Sequence, residues 1–308
     1  SSLADDKTFR DDEKTLGDRG VVSLWLDAKA LKKVPEVAQA LAASGSADQL
    51  DKISSVSMAL RAGSDSLELA GYTQAAAAPK TKPVDVGALP KGTALALGFS
   101  LGDADEYVDE LQQGLEDELG MSESDVARFV DQQTGLTYPE DLRTLIGDGL
   151  TIAVGAKNLD RAILLAGPDD VASLDAGIAL HGDPTKASDL LGRLADLAEQ
   201  TIGLRLETAE TKDGAVIATN ADAAKAFSAS GDQLGSTDAF RSVVEHSSDS
   251  YGTLFLDVAA VVKALQASSP PPGVSDVLDN LDELRAVGAS SWIDGDAARF
   301  SLKVAFRK

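Results

Sequence analysis

Leu24-Trp25-Leu26-Asp27 and Leu254-Phe255-Leu256-Asp257 are one phrase written twice, an apolar run closed by an aspartate. Each phrase sits inside a longer match. Phe9-Arg10 through Tyr72 runs parallel to Phe240-Arg241 through Phe306, and Leu50-Asp51-Lys52-Ile53 answers to Leu281-Asp282-Glu283-Leu284. The stretch from Leu89 to Asn220 has no counterpart ahead of Ser1. The expectation is a duplicated architecture whose first copy is entered late. Residues 1–78 then form the C-terminal part of a truncated first repeat, 79–88 a linker and 89–308 a complete second repeat, with 89–170 and 171–308 as sub-units.

Working outward, Val21 to Leu26 is a β-rich run, and Ala28 to Ala43 reads as a helix. Val56, Met58 and Leu60 alternate with Ser57, Ala59 and Arg61; after Gly63-Ser64-Asp65 the alternation resumes at Leu67 and Leu69, which is a hairpin. The second copy repeats this at Phe300, Leu302, Val304 and Phe306, after the turn Asp294-Gly295-Asp296. Ala75 to Pro83 is Ala-, Pro- and Lys-rich without periodicity, as a linker is.

The unmatched stretch opens with a strand at Thr93 to Ser100. A helix follows from Ala104 to Leu119, striped by Tyr107, Val108, Leu111, Leu115 and Leu119 and closed by Gly120. Ser122 with Asp125 starts a second helix, and Pro139 to Gly147 bounds a third. Leu150 to Val154 and Ala162 to Ala166 read as a hairpin around Lys157-Asn158. A strand at Ala176 to Leu180, a helix from Pro184 to Ile202 and a hairpin turning at Asp213-Gly214 follow. The fold class expected is α+β: duplicated strand–helix–hairpin units forming antiparallel sheets, with amphipathic helices on one face.

Composition narrows the function. The apolar share of 44% is that of a globular chain, and 308 residues bury roughly three quarters of the unfolded surface. Fifty acidic residues against 28 basic give a net charge of -22, a field that repels phosphate backbones and anionic lipid headgroups. Nucleic acid is therefore not an expected partner. With no cysteine, thiolate metal sites, disulfides and cysteine nucleophiles are excluded. No apolar run approaches the ~20 residues that span a bilayer. Any membrane association would run through an N-terminal anchor lying outside these residues.

Candidate chemistry reduces to structural roles. Asp27 and Asp257 each precede a helix, as do Asp103 and Asp183, where a carboxylate caps free amides. Asp294-Gly295-Asp296 lacks the later ligands of a calcium loop and reads as a turn. His181 and His246 stand far apart, with no His-x-x-x-His spacing and no Gly-x-Ser-x-Gly elbow, and read as surface or edge histidines. Gly147-Asp148-Gly149 lacks the third glycine and the following helix of a dinucleotide loop. Trp25 and Trp292 read as packing residues of strands. No catalytic, cofactor-binding or metal-binding residue is assigned, and no cofactor is expected.

Gly92-Thr93 to Asp105, the turn Gly182-Asp183-Pro184-Thr185-Lys186-Ala187 and the segment Ser2-Leu3-Ala4-Asp5-Asp6-Lys7-Thr8-Phe9-Arg10 resemble the actinobacterial proteins grouped as domain of unknown function 3352. The resemblance covers nearly the whole chain through dispersed patterns. It implies an exported or membrane-anchored protein with two related extracytoplasmic repeats, and it carries no activity and no catalytic residues.

Three functions follow as expectations. The first is a non-enzymatic binding or scaffold module outside the membrane. The second is a carrier of an apolar or lipid-like ligand between sheet and helices, because Ala-rich, aromatic-poor helices leave room for a cavity. The third is a hydrolase with dispersed carboxylates, which a cleft converging several aspartates would favour. Residues 1–78, with an open apolar sheet edge, are expected either to dock on the complete repeat or to self-associate.

Overall fold

The computed structural model describes residues 2–31, 33–35, 39, 53–75, 82–100, 102–160, 168–229, 231–268, 273–295 and 297–307. Strands run over Val22–Asp27 (β1), Ile53–Ala62 (β2), Ser66–Ala75 (β3), Thr93–Phe99 (β4), Gly149–Gly155 (β5), Ala176–His181 (β6), Glu207–Thr211 (β7), Gly214–Ala218 (β8), Ser250–Leu256 (β9), Leu284–Asp294 (β10) and Ala297–Phe306 (β11). Helices run over Lys7–Leu16 (α1), Ala28–Leu31 (α2), Ala104–Leu119 (α3), Glu123–Thr134 (α4), Glu140–Ile146 (α5), Pro168–Ala172 (α6), Pro184–Ile202 (α7), Ala221–Ser228 (α8), Asp238–Val243 (α9), Val258–Ala267 (α10) and Val274–Leu281 (α11). The fold is α+β.

All these strands join one antiparallel sheet in the order β1-β2-β3-β11-β10-β9-β4-β5-β6-β8-β7. The two copies meet where β3 pairs β11, with Leu69 opposite Leu302 and Gly71 opposite Phe300. The described residues of 1–78 thus dock on the rest by continuing its sheet. The duplication is visible in the order itself: β1-β2-β3 mirrors β9-β10-β11, each a strand beside a hairpin. It also includes a leading helix that the strand–helix–hairpin reading omitted. α1 lies over β2 and β3 as α9 lies over β10 and β11. α1 escapes a periodicity reading because its run KTFRDDEKTL holds only two large apolar residues, Phe9 and Leu16, among polar ones.

Helices cover both faces of the sheet, not one. On the face bearing Phe255, Phe240 and Val243 of α9 join Ala96, Phe255, Ala286 and Ala305 in one core, and Leu16 of α1 joins Ala59 and Tyr72 in another. On the opposite face, bearing Leu254, Leu190 and Leu191 of α7 pack with Leu180 and Ile217, while Val258 and Val262 of α10 pack with Leu278, Leu256 and Val287. The strands permit this because many are apolar on both sides: Gly214 to Ala218 is buried at every residue.

The alternation of β2 is real but turned. Ser55, Ser57 and Ala59 are the buried set, under α1, and the larger Val56, Met58 and Leu60 face the more open side. Small residues let the covering elements come close. β5 is flanked by β4 and β6 along its length; the expected arm Ala162 to Ala166 lies outside the described residues. So do the expected helix beyond Leu31 except at 33–35 and 39, and the expected linker at 79–81; the rest of the linker, 82–88, is described and packed, with Val84 and Val86 buried and Val86 part of the core around Phe255.

Candidate functional site

Three helices and the long α7 enclose the principal apolar space. Capping sets where each begins. Asp103 accepts from the amides of Asp105 and Glu106, and Ser122 and Asp125 form the reciprocal box that opens α4. Asp183 accepts from Thr185 and Lys186 at the start of α7. Gly120, Gly135 and Gly203 close α3, α4 and α7 in the left-handed conformation that glycine adopts without strain. Asp27 and Asp257 cap in the same way, through the amides of Ala30 and Ala260, each at 2.9 Å. All the repeated aspartates are thus spent on helix starts.

Between α3, α4, α5 and α7 lies a cavity of about 520 Å³. Its wall is almost wholly apolar, with Leu115, Phe129, Val130, Leu142, Leu145 and Leu194 among its lining. Phe129 and Leu119, which also lines it, are 59% and 66% exposed, so the space opens to solvent through large hydrophobic side chains. The polar groups are few. The Tyr138 hydroxyl donates to Gln112 Oε1 at 3.0 Å, and Gln112 Nε2 donates to the Met121 carbonyl. Burial, with the charge of Glu123 beside it, pushes the Tyr138 phenol above its ordinary range.

Asp141 closes one side of this cavity and also lines a second, polar cleft of about 770 Å³. Its carboxylate accepts from the Thr137 amide at 2.6 Å and from both Nη atoms of Arg193. Burial works to raise its pKa; the Arg193 and Thr137 hydrogen bonds outweigh it, and the net shift is downward.

The cleft gathers Asp103, Asp141, Asp148, Asp183 and Asp189, the convergence that would favour a hydrolase. Four of these are already committed: Asp103 and Asp183 to helix amides, Asp141 to Arg193, and Asp148 to Lys82 Nζ at 2.8 Å. Among the described residues, no group of three or more His, Asp or Glu side chains is arranged to hold a metal ion.

The histidines part company. His181, expected at the surface or at an edge, is half-buried at the end of β6 with Nε2 2.8 Å from Thr151 Oγ1. Burial lowers its pKa against the opposing pull of Asp213 and Asp148. His246 is exposed and stacks on Trp292 at 4.4 Å between ring centroids. Trp25 meets Phe9 edge-on at 5.5 Å and donates Nε1–H to Asp12 at 2.7 Å. Both tryptophans pack on the Phe255 face, apart from the cavity.

The stripe Leu111, Leu115 and Leu119 was legible as an apolar helix face, but not as the wall of a cavity. That needs the spacing of four helices, which no single helix encodes. Compared with family models, curated proteins and solved structures, the chain matches none.

Proposed function

We propose that this chain is a non-enzymatic binding module that carries an apolar or lipid-like ligand in the cavity between α3, α4, α5 and α7. One observation carries the reading: a space of about 520 Å³, lined by leucine, valine and phenylalanine, with Tyr138 and Asp141 as its polar margin. Small-molecule sites have this size, this apolar wall and this sparse polar lip. We read the module as lying outside the membrane in an anchored or exported protein, on the expectation that follows from the segments quoted above resembling domain of unknown function 3352. An acidic surface suits that setting, since it keeps the module in solution.

Titration with the neutral dye N-phenyl-1-naphthylamine tests the reading, alongside native mass spectrometry of the protein as purified. The expected result is saturable, single-site fluorescence enhancement, weakened at least tenfold by Leu145→Trp, which fills the cavity from its rim. Unsaturable binding, or binding indifferent to Leu145→Trp in a variant that melts normally, would sink it.

A further inference from the structure

The cavity between α3, α4, α5 and α7 is charged in one sense only. Among the described residues that line it there is no lysine or arginine, and the one charged side chain is the carboxylate of Asp141. Two of its walls share that sign. α3, ADEYVDELQQGLEDEL, holds seven acidic residues and no basic one; α4, ESDVARFVDQQT, holds three and only Arg128. Arg128 and Arg143, cations of α4 and α5, are paired with Asp125 and Asp105 at 3.3 and 2.7 Å.

The polar lip lies at the corner where α3 gives way to α4. The Tyr138 hydroxyl donates to Gln112, and Gln112 donates to the Met121 carbonyl just past the end of α3. Glu116 stands one helical turn beyond Gln112, Glu123 opens α4 two residues after Met121, and both are exposed. Leu119, a lining residue, ends α3 at this corner. The last turn of α3 carries Glu116, Asp117 and Glu118 and no basic residue. Carboxylates at a helix C-terminus oppose its dipole, so the arrangement costs stability, and a cation seated there relieves it.

The Tyr138 oxygen is an acceptor at this lip. Its O–H is directed to Gln112, so lone pairs remain for an N–H donor. Burial, then the charge of Glu123, raises the Tyr138 pKa, which sets that carboxylate near the phenol. A fatty acid would meet carboxylates here and no lining cation. A helix is about 10 Å wide and rises about 1.5 Å per residue, so about 520 Å³ holds little more than one turn of it. A single alkyl chain fits better.

We infer, resting on the carrier reading above, that the ligand is a cationic amphiphile, with its alkyl chain among the leucines and a protonated amine at the α3–α4 corner, facing the Tyr138 hydroxyl oxygen, Glu116 and Glu123. The apolar wall holds the tail, and the carboxylates select the head.

Displacement of N-phenyl-1-naphthylamine by decylamine, decanol and decanoate at low ionic strength compares three heads on one chain. Decylamine is expected to displace the dye at a concentration about tenfold lower than decanol, the yield of two exposed ion pairs, with decanoate weakest. Added salt should shrink that preference, because exposed carboxylates are screened. In the double variant Glu116→Gln with Glu123→Gln, melting normally, the ratio of amine to alcohol should fall toward one. Equal displacement by all three, or the strongest by decanoate, overturns the inference and leaves the carrier reading standing. Displacement by none of them removes the carrier reading as well. An amine preference that survives in the double variant would come from the net charge of -22 as a whole and overturns the assignment of the head. Displacement by a leucine–lysine amphipathic peptide and not by decylamine would give the cavity to a protein helix, and overturns it too.

Discussion

Arg193 on α7 holds Asp141 on α5 through two parallel hydrogen bonds, Nη1 to Oδ2 at 2.7 Å and Nη2 to Oδ1. The pair ties together the two helices that separate the apolar cavity from the polar cleft. Removing the guanidinium leaves a carboxylate in a residue that is only 8% exposed. Arg193→Met is therefore expected to cost about 2 kcal/mol at neutral pH, less than a fully buried pair because Arg193 reaches solvent. Asp141 has a lowered pKa in the fold, so its contribution is present above about pH 4 and fades as pH falls through the folded value. Urea unfolding of both proteins from pH 7 to pH 3 should show the gap narrowing; a constant gap would refute the assignment.

His181 titrates with the opposite chemistry and the same sign. Burial holds its pKa below the usual value near 6.5, so the fold favours the neutral ring. The unfolded chain takes up the proton first, and stability falls as pH drops below about 6.5. In His181→Gln the part of that slope between about pH 6.5 and pH 5 should disappear. Thermal melting of both proteins across this window checks it, and parallel curves would rule it out.

Gly288 lies directly beneath α9. A Cβ there would stand 2.6 Å from the Val243 carbonyl oxygen and 2.8 Å from Val243 Cγ2. Backbone cannot swing away as a side chain can, so Gly288→Ala must lift α9 or bend β10. A loss of about 2–3 kcal/mol is expected, read as a lower denaturant midpoint at unchanged slope. An unmoved midpoint would mean that α9 is held loosely.

Ser290, on the same strand, is buried with its hydroxyl within reach of no partner among the described residues, as are Ser55, Ser57 and Thr253. A buried hydroxyl without a bond is a desolvation cost, and alanine keeps the size that close packing requires. Ser290→Ala is expected to match the parent or exceed it by up to about 1 kcal/mol. A loss greater than that in chemical denaturation would reveal a bond that the geometry lacks.

What the sequence by itself determined is local. Asp27, Asp103, Asp183 and Asp257 were legible as caps because an N-cap bond spans only two or three residues. The hairpins β2–β3 and β10–β11 were legible because their strands adjoin along the chain. Tertiary structure alone decided that β3 would meet β11, that Ser57 would be buried while Leu24 stayed open, and that Asp141 would reach Arg193 across 52 positions. Each of these is settled by which surfaces remain uncovered once the others have packed, a competition among distant elements that no local pattern records.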